Sequence, residues 1–274
     1  MKTRKRMTSG YFSESFTDRS DLSASNPPRS LKRRRVSKSG RDILGHISVR
    51  HQGGGSKRQH RLVSTLDQIA GEEAKVLEIQ YDPNRSARLA LIELTSGQKK
   101  YIIAQHNLKV GQILKVSEKV AVKTGNRMML KNVPVGVAVS DIQIYPESKK
   151  YIARSAGTQT SLMAVDGDYA LLKMPSGELR KIHANCFATI GQISNIEHSN
   201  IKFGNAGRRR RMGIRPSVRG KVMSPKAHPH GGGEGVNPIG LKYPKTPWGK
   251  IAIGKKTRRS KSSDKFIVRK RNGK

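Results

Sequence analysis

Residues 74–105 read AKVLEIQYDPNRSARLALIELTSGQKKYIIAQ, and this stretch decides the fold. Three runs in it, Ala74–Asp82, Arg88–Thr95 and Lys99–Gln105, are short and rich in Val, Ile, Leu and Tyr. Between them lie Asp82-Pro83-Asn84 and Ser96-Gly97. These are turn formers: Pro presets φ, Gly accepts positive φ, and Asx side chains bond the local backbone. The runs therefore read as strands. Further along, Ile113–Ser117 and Met128–Val133 read as two more. A second set follows Asn132–Gly136 (NVPVG). In Val137–Tyr145, Ile142 and Ile144 alternate with Asp141 and Gln143, the period of two of a half-buried strand. Leu162–Val165, Asp166-Gly167 and Tyr169–Met174 make a hairpin signal, because Asp-Gly supplies the positive φ of a tight primed turn. Ser176-Gly177 leads into Leu179–Ala184. About five strands up to Val133 and a similar number after it predict an all-β core of two successive small barrels. The break between them is expected at Asn132–Gly136, and one turn of helix near Ile190–His198.

The rest of the chain is dominated by charge. Its 274 residues carry 55 Lys+Arg against 19 Asp+Glu, a net of +36. A compact body with that charge repels itself unless a polyanion or an anionic surface relieves it. Hydrophobic residues make up 34% and aromatics 5%. A self-sufficient domain has roughly 45–50% apolar residues, Gly included, so part of the chain is not expected to pack on itself. The charge is uneven. Residues 1–60 hold 15 basic and 4 acidic residues, residues 61–196 hold 18 and 12, and residues 197–274 hold 22 and 3. The middle is a foldable core, and each end is too charged and too poor in apolar residues to fold alone.

Several classes are excluded. The single cysteine, Cys186, rules out an internal disulfide framework and a cysteine-rich zinc finger. No apolar run approaches the roughly 18 residues of a membrane span, so no membrane partner is expected. The basic N-terminus is not followed by an apolar stretch, which argues against a secretory signal. Residues 1–35 are rich in Arg and Ser, as an organelle transit peptide is, but Glu14, Asp18 and Asp21 argue against one. No Gly-rich phosphate loop with its Lys-Ser/Thr is present, which excludes a P-loop NTPase.

The two ends carry the candidate binding residues. The first holds Lys32-Arg33-Arg34-Arg35 and then Arg50, His51, Gly53, Gly54, Gly55, Lys57, Arg58 and Arg61. Three successive glycines bury nothing; they let the backbone approach a surface closely and adopt positive φ. Flanked by cations, that surface is a phosphate backbone, or else the run is a flexible linker. The second end holds Arg208, Arg209, Arg210 and Arg211, then Arg215, Arg219, His228, His230, Gly231, Gly232 and Gly233. Trp248, Lys255, Lys256 and Arg258 follow. Scattered Gly and Pro predict an extended path. One tryptophan in the whole chain argues against a single-strand stacking platform and for backbone tracking.

Three chemical readings are weaker. His228, His230 and Glu234 form a loose metal-ligand pattern, but no third His or Cys follows and the local field repels cations. His183 and Cys186 are half a zinc site without the other half, on or just after a predicted strand where packing explains them. A Cys–His nucleophilic pair has no further support.

The motifs together resemble a known family. In order they are SVRHQGGG (Ser48–Gly55), YDPNRSA (Tyr81–Ala87), NVPVG (Asn132–Gly136), ARSAGT (Ala153–Thr158) and GELRK (Gly177–Lys181). Next come ATIG (Ala188–Gly191), GIRPSVRG (Gly213–Gly220) and HPHGGGEG (His228–Gly235). TPWG (Thr246–Gly249), GKKTR (Gly254–Arg258) and DKFIVR (Asp264–Arg269) complete the series. Their order and spacing resemble bacterial-type large-subunit ribosomal protein two, the L-two family. The resemblance runs from about residue 38 to 271, while residues 1–37 match poorly beyond being basic.

The resemblance implies an oligonucleotide/oligosaccharide-binding-type barrel over 61–133 and an SH3-like barrel over 134–200. Basic extensions over 1–60 and 201–274 would flank them. It implies a structural protein that binds large-subunit ribosomal RNA near the peptidyl transferase centre and supports subunit association and assembly. Neighbouring ribosomal proteins, and the small subunit across the intersubunit face, are the other implied partners. No cofactor is implied beyond RNA-associated magnesium. Arg85 and Arg154, inside matched motifs, join the RNA-binding candidates. A bacterial cytoplasm is implied, with an organelle of bacterial descent as the alternative. In the family HPHGGGEG runs closest to the peptidyl transferase centre, and its first histidine, His228 here, has been considered a catalyst. Many bacterial members carry an acid just before it, where this chain has Ala227. That departure weakens His228 as a general base, which would supply roughly 10²–10⁴-fold in rate. The four consecutive arginines, where the family run is more mixed, read as extra phosphate contact. A DNA-compacting protein is the remaining rival, disfavoured by the barrels and motifs.

Overall fold

The computed structural model describes residues 1–3, 14–34, 36–69, 71–254 and 256–271. It divides into two compact units. One, the β unit, comprises residues 1–36, 57–205 and 263–274; the other, the basic unit, comprises residues 37–56 and 206–262. The N- and C-terminal extensions thus each contribute to both units.

The β unit opens with β1 (Lys2–Thr3) paired to β2 (Ser15–Phe16), and β3 (Lys32–Arg34) paired to β4 (Gln59–Arg61), both antiparallel. Its first large sheet contains β5 (Ala74–Gln80), β6 (Leu89–Leu94), β7 (Lys99–Ile103) and β8 (Ile113–Leu114), in the order β7-β6-β5-β8. The alternation of strand side chains sends Ala90, Ile92 and Leu94 into one core with Val76, Ile102 and Leu114. Leu89 and Leu91 enter a second core with Tyr101, Ile103 and Ile193. Burial on both faces explains why β6 reads LALIEL rather than apolar-polar.

The second large sheet contains β9 (Arg127–Met129), β10 (Ala138–Ser140), β13 (Thr160–Asp166), β14 (Tyr169–Lys173), β15 (Leu179–His183), β16 (Phe187–Ile190) and β17 (Ile267–Arg269). Its order is β17-β15-β14-β13-β10-β16-β9. A separate pair joins β11 (Ile142–Gln143) to β12 (Tyr151–Ile152). The core under this sheet holds Met128, Leu130, Val139, Ile142, Leu162, Leu172, Ile182 and Cys186.

The structure departs from the sequence reading at several points. Met128–Val133 is not a closing strand of the first sheet. Only residues 127–129 are extended, they pair with β16 of the second sheet, and Leu130–Asn132 is a 3-10 turn. The chain enters the second sheet before Asn132–Gly136 because Met128, Leu130 and Val133 pack in its core. Val137–Tyr145 is two strands, broken at Asp141, whose φ is +47°. The β13–β14 turn is one residue later than expected: Asp166 pairs with Tyr169, leaving Gly167-Asp168 as the loop. The expected helical turn near Ile190–His198 is instead the end of β16 and a 3-10 turn at Ile196–Asn200.

A buried ionic cluster ties this unit together. Arg127 is fully buried; its Nη1 donates to the Asp141 carbonyl at 2.7 Å and to Thr189 Oγ1 at 2.8 Å. Asp67 and Asp141 carboxylates lie 3.6 and 3.8 Å from its guanidinium. Arg154 Nε sits 2.8 Å from the other Asp141 oxygen. Tyr151 donates to Asp67 at 2.7 Å, and Thr65 donates to the Tyr151 oxygen at 2.9 Å. A buried cluster of this kind fixes geometry more than it adds stability, because desolvation offsets its Coulomb gain.

Candidate nucleic-acid interface

The basic unit is assembled from both extensions. It carries 19 basic against 2 acidic residues, a net of +17. Its only α-helix among the described residues is α1 (Ala206–Arg211), the arginine run itself. The segment after α1 pairs with the glycine run of the first extension. Gly53 N donates to Gly213 O at 2.8 Å, Ser56 N to Arg211 O at 2.9 Å, and Arg215 N to His51 O at 3.0 Å. Gln52 and Ile214 form an antiparallel bridge. Arg210 Nη1 donates to Gly53 O at 2.6 Å.

This pairing explains the first glycine run. A Cβ on Gly54 would lie 2.6 Å from Arg210 Nη1, and one on Gly55 would lie 3.0 Å from Gly213 Cα. One surface that the run approaches is the protein's own second extension, so the run is not a free linker, while Gly54 and Gly55 keep an exposed side. Arg210, half-buried, is a brace rather than a free cation. Arg209, Arg211, Arg215 and Arg219 are exposed, and Arg208 is half-buried.

The second glycine run is also braced from within. A Cβ on Gly231 would lie 2.3 Å from Ser224 O, so no other residue fits there without moving backbone. Gly232 and Gly233 continue the turn and are exposed. His228 is buried, at 8% exposure, with Gly220 making room for its ring. His228 Nδ1 accepts from the His230 amide at 3.0 Å, and His230 Nε2 accepts from the Lys245 amide at 2.8 Å. The two rings lie 4.7 Å apart. Burial first, then the nearby His230 and Arg50, push the His228 pKa below its ordinary value. Each ring thus accepts a backbone amide and helps hold the turn. Arg50 lies over the ring of Trp248, 5.4 Å from its centroid, and Trp248 is 75% exposed. His51 Nδ1 donates to Pro216 O at 3.3 Å. Lys256 and Arg258 are exposed, and Lys255 lies outside the described residues.

The remaining candidates belong to the β unit. Asp82, fully buried, accepts from Arg85 at 2.7 Å and from Arg61 at 3.3 Å. Arg58 donates to Pro83 O at 3.1 Å, and Asn84 Nδ2 to Gln59 O at 2.6 Å. Arg58, Arg61 and Arg85 therefore knit β4 to the Asp82-Pro83-Asn84 turn, as Arg154 is knit to Asp141. Lys57 is exposed. Sequence reasoning missed Asp82, Asp141 and Arg127 as organisers. A single sequence offers no signal that an Asp will be buried among arginines, and a lone Arg in GNRMML looks like surface charge.

His183 and Cys186 do not form a reactive pair. The thiol is fully buried in the second core, and burial pushes its pKa up to about 12. His183 stacks edge-on to Tyr169 at 5.8 Å. Among the described residues no group of three or more His, Cys, Asp or Glu side chains is placed to hold a metal ion.

A unit with a net charge of +17 and exposed arginines fits a polyanionic partner. Residues 28–116 match the family model of Ribosomal Proteins L2, RNA binding N-terminal domain. Residues 123–249 match that of Ribosomal Proteins L2, C-terminal domain. The chain belongs to the ribosomal protein L2 family. Its first sheet is the oligonucleotide/oligosaccharide-binding-type domain and its second the SH3-like domain. It is a structural protein of the large ribosomal subunit, not an enzyme, and its partners are ribosomal RNA and ribosomal proteins. The second match begins before β9, in keeping with the pairing of β9 to β16.

Proposed function

We propose that this chain binds large-subunit ribosomal RNA near the peptidyl transferase centre and supports assembly of that centre and association of the subunits. It works in a bacterial cytoplasm, against neighbouring ribosomal proteins and, across the intersubunit face, the small subunit. The observation that carries this reading is the basic unit, with a net charge of +17. Two glycine runs are held there by the protein's own backbone, while Arg50, Arg209, Arg211, Arg215, Arg219 and Trp248 stay exposed. Such a surface positions itself on phosphates and follows RNA shape. In this reading Arg58, Arg61, Arg85 and Arg154 present their outward edges to RNA from salt-bridged positions. His228 acts by holding the HPHGGGEG turn, because its Nδ1 is occupied by the His230 amide and its ring is buried.

Sedimentation tests the assignment. Tagged protein should travel with the large subunit in a sucrose gradient of lysate and remain there when low magnesium separates the subunits. Protein found near the top, free or on DNA, would refute it. His228→Gln ribosomes, once assembled, should form peptide bonds at the normal rate.

A further inference from the structure

Residues 40–49 form a hairpin in the basic unit whose tip is apolar and fully presented to solvent. Ile43 is 92% exposed, Leu44 77%, Ile47 60% and Val49 51%. Single exposed apolar residues are common, but here adjacent ones crown a turn that is locked by its own bonds. Asp42 N donates to His46 O at 2.9 Å, and Arg41 bridges to Ile47. Asp42 Oδ1 accepts from the Leu44 amide at 2.9 Å and the His46 amide at 2.8 Å. Arg41 Nη1 donates to Gly45 O at 2.6 Å. At the base, Ser48 N and Val49 N donate to Gly40 O at 3.0 and 2.9 Å. None of these bonds involves the Ile43 or Leu44 side chain, so the turn holds them out without depending on them.

We propose that Ile43 and Leu44 form an apolar wedge that packs against the faces of unstacked bases in ribosomal RNA, at a bulge or loop interrupting a helix. Charge selects the occupant. The unit carries 19 basic residues and 2 acidic ones, and one of the two acids, Asp42, spends a carboxylate oxygen inside the turn. Lys38, Arg41 and Arg50 flank the tip and are exposed. A partner that meets this field must be a polyanion, and the apolar surface a folded RNA offers is the face of a base that has left its stack. Aliphatic wedges enter opened base steps in the same way in other nucleic-acid complexes. The inference rests on the ribosomal RNA reading above and adds a contact that phosphate neutralisation does not supply.

Salt separates the two. Phosphate contacts release counterions and set the slope of log affinity against log salt, whereas apolar contacts set its height. The experiment measures binding of the full-length protein to purified large-subunit ribosomal RNA from about 50 to 200 mM salt, the range where phosphate contacts dominate the slope. Ile43→Ser with Leu44→Ser should give a line parallel to wild type and about tenfold to a hundredfold weaker throughout. Ile43→Leu with Leu44→Met keeps the apolar surface and should stay on the wild-type line. Arg209→Ala with Arg211→Ala should instead make the line shallower. A double-serine line that superimposes on wild type, or that changes only in slope, overturns the wedge. A flat wild-type line would overturn the ribosomal RNA reading itself, which makes the two failures distinguishable.

Discussion

Arg127→Met tests whether the buried ionic cluster holds the two sheets of the β unit in place. The substitution removes a fully buried guanidinium and keeps an unbranched apolar stem. It deletes the bonds to Asp141 O at 2.7 Å and Thr189 Oγ1 at 2.8 Å. Asp67 and Asp141 lose a cation at 3.6 and 3.8 Å. Removing one partner of a buried pair costs about 3–5 kcal/mol, because the remaining charge stays buried without compensation. Asp141 keeps Arg154 at 2.8 Å and Asp67 keeps the Tyr151 hydroxyl at 2.7 Å, so the low end of that range applies. With a urea slope of about 1–3 kcal/mol/M, the unfolding midpoint of the full-length protein should fall by about 1–3 M in far-UV circular dichroism. The pH dependence carries a second signature. Burial raises the Asp141 pKa against the pull of Arg127 and Arg154. Without Arg127 it rises further, and a raised acid costs stability as pH climbs above its unfolded value of 3.8. The deficit of Arg127→Met should therefore grow as pH climbs above 3.8 and shrink as pH falls back towards it. Adding Asp141→Asn should recover part of the loss, as coupled neighbours do. A loss below about 1 kcal/mol, or strict additivity in the double variant, would refute the reasoning.

Three further outcomes follow from the same geometry. The His228 ring proton should titrate by NMR with a midpoint below 6.5. As pH falls below 6.5 the unfolded chain binds that proton first, so the basic unit should lose stability on acidification until the folded pKa is reached. Gly231→Ala drives a Cβ to 2.3 Å from Ser224 O, an overpacking that costs about 1–3 kcal/mol; its incorporation into large subunits should fall in a pulse-labelling assay. Cys186, buried with its pKa pushed up to about 12, should resist iodoacetamide in the native protein and react only after denaturation.

Strands were legible where a run of apolar residues was long enough to bury at least one face. β5, β6, β7, β14 and β15 lie inside the stretches that hydrophobicity and turn chemistry point to. Illegible elements are those fixed by partners rather than by their own residues. Phe187–Ile190 is four residues long and extended because it bridges β10 and β9. Ile267–Arg269 lies in a basic tail and is a strand because β15 offers it an edge. The left-handed Asp141 that breaks Val137–Tyr145 points to the ionic cluster, and nothing in an alternating pattern announces it. The candidate site shows the same division. That the two ends are cationic and glycine-rich was plain. That Gly53–Gly55 meets residues 211–213 was not, because the contact joins segments separated by almost the whole core and carries no local periodicity.

The arginine inventory changes meaning once those contacts are known. Read from sequence, every Arg near a Gly run is a candidate phosphate ligand. In the structure Arg61, Arg85, Arg154 and Arg210 each spend a guanidinium nitrogen on an internal oxygen, three on buried carboxylates and one on the Gly53 carbonyl. Arg suits that double use, since its five donors leave others free when one or two are committed. The internal bonds fix where the remaining donors point, and that is the precondition for recognising a shaped polyanion rather than any polyanion. The unbraced charge then opposes the fold: a net of +17 over residues 37–56 and 206–262 repels itself, with little apolar burial to offset it. If RNA engages this unit as proposed, binding should remove that repulsion and so stabilise the basic unit more than the β unit, whose cores close without it. In the proposed reading, assembly onto RNA and stabilisation of these 77 residues are coupled.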